Sequence, residues 1–258
     1  MFRTISRLIC LTASAIVAGV LARARPAAQE PAAQPARAAT PRAAAPYDIT
    51  GYWVSVVTED WRWRMTTPAK GDFISIPLSD EGRKVAFAWD PKTDGSCKAY
   101  GAAGLLHIPG RLNISWQGEE VLKVESDAGA QTRLLRFTSK AASGPRSLQG
   151  FSIAEWEPRG VDGVVGGRGG GGPLPRALKV TTTNLLEGWL RKNGVAYSDQ
   201  TTLVEHWDRT AFPNGDVWLT VSQYVSDPKY LTGDYTTSMH FKREPDGSKF
   251  KPVPCREL

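Results

Sequence analysis

Residues 202–226 read TLVEHWDRTAFPNGDVWLTVSQYVS, and this stretch decides the fold. Two runs, Thr202–Arg209 and Val217–Ser226, alternate in hydropathy with a period near two and are rich in β-branched and aromatic residues, the mark of strands with one buried face. Pro213-Asn214-Gly215 between them is turn chemistry. Working outward, the same pattern recurs at Ile49–Thr58, Arg111–Trp116, Glu120–Ser126, Gln131–Thr138, Gly150–Glu157, Ala177–Asn184 and Thr236–Arg243. Gln117-Gly118, Asp127-Ala128-Gly129 and Asp227-Pro228 punctuate the runs. One helix is predicted from an N-cap at Ser79 or Asp80, with Val85, Ala86 and Trp89 on one face and Asp90-Pro91 as its stop. A second, shorter helix is expected around Leu185–Lys192. So many strands with so little helix must close on themselves or stack, because open edges invite aggregation. The expectation is an all-β, mostly antiparallel β-barrel with one or two short helices, preferred over a sandwich.

The N-terminus carries a different message. Arg3 and Arg7 precede an uncharged run from Leu8 to Leu21, and Ala22-Arg23-Ala24 offers a small-x-small cleavage site, so residues 1–24 read as a secretory signal peptide. The run is shorter than the ~20 residues of a spanning helix, and no second run of its kind follows, so no transmembrane segment is expected in the mature protein. Residues 25–46 are almost wholly Ala, Pro, Gln, Arg and Thr and read as a disordered linker, leaving residues 47–258 as one domain. The expected location is the periplasm or the extracellular space.

The chain's net charge of +6 belongs to the leader. Six of the 32 basic residues and one of the 26 acidic residues precede Tyr47, so the domain has a net charge of +1. A near-neutral domain lacks the electrostatic footprint of a nucleic-acid binder, and no nucleic-acid partner is expected. Cys10 lies in the leader; Cys97 and Cys255 remain as an even pair in an oxidising compartment and are expected to form a disulfide, with two free thiols as the alternative.

Two resemblances bear on the fold. Gly51-Tyr52-Trp53 at the start of a β-meander resembles the lipocalin and wider calycin pattern, which implies a Trp closing one barrel end and packing against an Arg of the last strand, here Arg243. Cys97-Lys98-Ala99-Tyr100-Gly101 with Pro109, Trp156-Glu157, Gly188-Trp189-Leu190 with Gly194 and Ser198, Glu205 with Arg209, and Asp227-Pro228-Lys229-Tyr230 resemble an uncharacterised family of exported bacterial β-rich proteins. That resemblance implies a secreted β fold and carries over no catalytic residue. The Gly-rich insertion Gly160–Gly172 departs from it. Without a following Lys-Ser/Thr or helix, this insertion reads as a flexible hairpin rather than a phosphate loop.

For chemistry the sequence offers candidates rather than a motif. His107, His206 and His240 stand singly, so no metal site and no cofactor are expected. Gly150-Phe151-Ser152-Ile153-Ala154 resembles a nucleophile elbow but runs on into strand pattern. Glu155 and Glu157 share one strand face, while Arg133, Glu205 and Arg209 are strand charges that face solvent or pair inside a lumen. The first functional expectation is a small, largely apolar ligand held in the lumen by Trp53, Trp63, Arg133, Trp156, Glu205, His206, Tyr224 and His240. The alternatives are acid–base catalysis in the lumen by His206 or His240 with a glutamate, and a carbohydrate- or partner-binding surface at Trp61 and Trp63. A lumen filled by the protein's own side chains is the main competitor to the first.

Overall fold

The computed structural model describes residues 39–92, 94, 97–140, 144–158 and 176–255. The expected signal peptide, the linker up to residue 38 and the Gly160–Gly172 insertion lie outside the described residues. The strands are β1 Gly51–Val56, β2 Arg111–Gln117, β3 Val121–Ser126, β4 Ala128–Gly129, β5 Gln131–Arg136, β6 Phe151–Pro158, β7 Arg176–Thr183, β8 Gly188–Arg191, β9 Val195–Tyr197, β10 Thr202–Ala211, β11 Val217–Ser226, β12 Tyr235–Glu244 and β13 Val253–Pro254. The helices are α1 Trp61–Arg64, α2 Asp80–Ala88 and α3 Ala102–Leu105, with a 3-10 turn at Cys97–Tyr100.

All nine strands predicted from hydropathy are present, and they close into one barrel in the order β1-β12-β11-β10-β7-β6-β5-β3-β2. The neighbours are antiparallel except β5 and β6, which pair in parallel through Leu135↔Ser152 and Arg136↔Ile153. The connection between these two strands returns to the barrel end where β5 begins. There the Ser147 N–H donates to the Asn184 carbonyl and the Ala102 N–H to the Leu148 carbonyl.

Alternate residues of each strand face inward and fill the lumen. Trp53, Leu122, Leu135, Leu178, Trp207, Leu219, Val221 and Met239 are fully buried in one cluster. Trp53 faces Arg243 across β1 and β12, with the guanidinium carbon 5.8 Å from the ring centroid, and the Trp53 indole donates to the Ile49 carbonyl. Gly51 beside Arg243 adopts φ 107°, a backbone conformation that a side chain would strain. The Gly-x-Trp resemblance is thus matched in geometry.

Two plugs close the barrel. At one end Tyr47 donates its hydroxyl hydrogen to the Trp207 carbonyl, and the Trp156 indole donates to the Pro41 carbonyl at 2.9 Å. The Arg42 N–H donates to the Glu119 carbonyl. Pro41 and Arg42, ahead of the expected domain start at Tyr47, thus lie against the barrel. The Ala/Pro-rich composition hid this because backbone carbonyls, not apolar side chains, make these contacts.

The other end carries a cap built from the described residues of 57–109, the β8–β9 hairpin and residues 144–150. Helix α2 begins as the sequence predicts, with the Ser79 hydroxyl accepting from the Gly82 N–H. Leu185–Lys192 is not the expected helix; it enters the β8–β9 hairpin, in which Gly188 pairs with Tyr197. All four residues of β8 are buried, which erases the alternation that would have marked a strand. Gly188 and Gly101 both abut the Tyr197 hydroxyl, where a Cβ at either position would overlap it. Asp227 fastens the cap by accepting from the Ser198 and Thr201 hydroxyls and from the Lys229 and Tyr230 N–H groups. Burial opposes its ionisation, but these bonds prevail and hold its carboxyl below the usual range.

Cys97 and Cys255 form a disulfide with Cα atoms 5.6 Å apart. It ties β13, paired in parallel with β4, to the 3-10 turn beneath the cap. The bridge spans 158 residues, a loop for which chain entropy sets an upper bound of ~5 kcal/mol. Replacing both cysteines by serine is expected to lower the unfolding free energy by ~2–4 kcal/mol, read from the denaturant midpoint; an unmoved midpoint would refute a stabilising role.

Arg133 and Glu205 form a second constraint, inside the barrel, with Nη2 2.6 Å and Nη1 3.0 Å from the two carboxylate oxygens and both side chains fully buried. Glu205→Leu, which strands the cation, is expected to cost ~3–5 kcal/mol, whereas adding Arg133→Met should restore much of the loss. Additive losses in thermal unfolding would rule out direct coupling.

Candidate functional site

The cap and the barrel rim enclose a narrow slot. It is lined by Asp60, Trp63 and Arg64 from α1 and its N-cap, Gly104 and His107 from α3 and the turn after it, Trp189 to Lys192 from β8 and the hairpin turn, and Tyr235 from β12. The space between its atoms amounts to ≈ 380 Å³ including its open mouth, but the cavity volume is only ≈ 20 Å³. The slot therefore suits a small or flat group.

Its chemistry is set by cations. Arg191 is buried, 6% exposed, and is held by the Ile74 carbonyl at 2.8 Å, the Ser75 hydroxyl at 3.0 Å and the face of Trp63 with the guanidinium carbon 4.5 Å from the ring centroid. Among the described residues no carboxylate pairs with it. Lys192 next to it is half-buried, with no hydrogen bond or ion pair to a described residue, and burial lowers its pKa. Arg64 differs: Glu59 neutralises it at 2.8 Å, and the Ser55 hydroxyl and the carbonyls of Leu106 and His107 accept its other hydrogens. Trp63 is fixed in turn by its indole N–H, which donates to Asp72 at 2.9 Å.

Beneath the slot, His107 starts a buried polar chain. Gln223 donates to Glu205 at 3.4 Å, which directs its amide oxygen to His107 Nε2 at 2.9 Å. The imidazole must then donate from Nε2, leaving Nδ1 as its acceptor. The chain continues through Glu205 and Arg133 to Thr182 and Ser152. Burial pushes the His107 pKa down from 6.5 to about 4; the Gln223 bond offsets part of this, and Arg64 and Arg191 add to it.

The sequence candidates separate by strand parity. Trp53, Arg133, Trp156 and Glu205 lie on inward faces, but Trp53 and Trp156 belong to the packed interior and the plug, while Arg133 and Glu205 are spent on each other. His206 and Tyr224 lie on the outer face, edge to face at 5.8 Å, and Tyr224 is exposed. His240 is also outward and is separated from His206 by β11. One residue along a strand reverses the face, so these three do not line the lumen. Of the eight candidates, only Trp63 lines the slot.

The catalytic alternatives fare similarly. His240 Nδ1 lies 2.9 Å from Glu59 Oε2, but Thr58 Oγ1 approaches the same nitrogen at 2.9 Å. A relay from nucleophile to base to orienting acid needs both ring nitrogens. Ser152 is buried and bonded to Thr182 rather than raised on an elbow, and Glu155 and Glu157 both pair with Lys179 on the outer face. Trp61 and Trp63 stand two residues apart on a helix, about 200° around its axis. Trp61 is 67% exposed while Trp63 packs under Arg191, so the two rings do not form one flat platform.

Among the described residues no cluster of three or more His, Cys, Asp or Glu side chains is arranged to hold a metal ion, and no helix is long and apolar enough to cross a membrane. No family model, curated protein or solved structure matched the chain. Of the slot residues that sequence reasoning did not place in a site, Ala99, Trp189 and Leu190 carried a signal, within Cys97-Lys98-Ala99-Tyr100-Gly101 and Gly188-Trp189-Leu190.

His107 yields a pH prediction. Its folded pKa lies below its unfolded value, so its share of stability is complete above pH 6.5 and is lost as pH falls towards 4. The loss attributable to this residue amounts to roughly 3 kcal/mol. His107→Gln, which cannot titrate, should flatten the dependence of the unfolding temperature on pH over that window. An unchanged slope would place the dependence elsewhere.

Proposed function

We propose that this protein acts outside the cytoplasm, in the periplasm or the extracellular space, as a small-molecule binding protein whose ligand is a small organic anion taken up in the slot at the capped barrel end. One observation carries the reading: Arg191 and Lys192 stand side by side in an aromatic-walled slot with no carboxylate paired to either among the described residues. A buried or half-buried cation without a counter-charge is costly, and a ligand carboxylate would supply that charge through charge-assisted hydrogen bonds. Trp63, Trp189 and Tyr235 offer flat walls for the ligand's apolar part. A ligand in the lumen is disfavoured because Trp53, Trp207 and their neighbours already occupy that space. The barrel then serves as the rigid frame that fixes the cap.

Calorimetric titration with acetate, propionate, benzoate and their amides tests the reading. The acids should bind and the amides should not, and Lys192→Met should weaken the acids about tenfold or more. Acids binding no better than amides, or a Lys192→Met protein binding acids as the wild type does, would overturn it. Because burial lowers the Lys192 pKa, anion affinity should decline on raising the pH before the ordinary lysine range is reached.

A further inference from the structure

The same slot holds a charge that a simple anion leaves unanswered. Asp60, the N-cap of α1, adopts φ 52° and ψ 21°, a left-handed conformation uncommon for a residue with a side chain. Its carboxylate makes no capping bond and no hydrogen bond or ion pair with any described residue. It acts through space on Arg64 and on Tyr235. Yet Asp60, Arg191 and Lys192 all line one narrow slot.

Opposite charges so placed normally collapse together. Here the cations are restrained or held off. Arg191 is pinned by Ile74, Ser75 and the Trp63 ring, and Arg64 is committed to Glu59, Ser55, Leu106 and His107. Lys192 stays beyond ion-pair distance of Asp60. The slot thus presents a negative group and a pair of positive groups separated by a gap, with His107 held uncharged beside them at neutral pH. A left-handed, unpartnered acid maintained at a cavity is the kind of local cost that persists where a ligand makes use of it.

We infer that the ligand is an aminocarboxylate, a small amino acid or a close relative, whose carboxylate lies against Arg191 and Lys192 and whose ammonium lies against Asp60. This inference rests on the anion reading above and narrows it: Asp60 weakens the binding of a plain carboxylic acid and favours a ligand that brings its own cation. The small free volume of the slot agrees with a ligand of few atoms, and the indole and phenol walls with a short apolar side chain.

Titrations of alanine against propionate and ethylamine, and of 2-aminobutyrate against butyrate, carry the test. Each amino acid should bind about tenfold or more tightly than the acid lacking the amine. Asp60→Asn is the informative variant because asparagine tolerates the left-handed conformation and nearly matches the shape; Asp60→Gly serves if it fails to fold. Either should weaken the amino acid and strengthen the plain acid, a change of opposite sign for the two ligands. Amino acids binding no tighter than their acids, or both ligands shifting in the same direction, would overturn the inference while leaving the anion reading in place. Failure of acids and amino acids alike would overturn both.

Discussion

A closed ring of strands that reverse direction at every step must contain an even number of members, and this barrel has nine. One neighbouring pair must therefore run parallel, and that pair is β5 and β6. The parallel seam forces the chain to travel back along the barrel before resuming, unlike the short turns between β2 and β3 and between β10 and β11. The returning segment becomes part of the cap, where Ser147 and Leu148 bond to Asn184 and Ala102. Closure of an odd ring thus prepares the ground on which α3, and with it His107, is set.

Polarity divides the interior. Towards the plugged end the inward positions are apolar and packed around Trp53 and Trp207; towards the capped end they become Arg133, Glu205, Gln223, Thr182 and Ser152. A buried ion pair of this kind recovers its desolvation only with good geometry and further hydrogen bonds, and this one has both. The polar layer also explains His107, since Gln223 can offer it an acceptor only because its own amide hydrogens are directed at Glu205. The electrostatic character of the slot therefore follows from the barrel's interior as much as from the cap.

A few close contacts hold the cap together. Gly101 and Gly188 give the Tyr197 ring room, Ser198 and the Asp227-Pro228-Lys229-Tyr230 turn fasten one another, and Cys97 binds the C-terminal strand to the 3-10 turn. These positions hold together the layer that covers the barrel. These glycines, the aspartate and the cysteine read here as the construction of a support for the cap, and Ala99, Trp189 and Leu190 beside them also reach the slot.

By itself the sequence determined the strands, the closure and the disulfide. A strand with one buried face writes its structure in alternation that needs no partner to be read, and an even pair of cysteines suffices to suggest a bridge. Leu185–Lys192 misled because a hairpin buried on both faces carries no alternation, and the contacts of Pro41 and Arg42 with the barrel are made by backbone groups that composition does not register. The slot was decided by tertiary structure alone. Asp60 and His107 come from one excursion of the chain and Arg191 and Lys192 from another, and each is an ordinary residue in its own stretch. What makes them a site is the absence of paired counter-charges around them, a property of the assembled surroundings that no local pattern records.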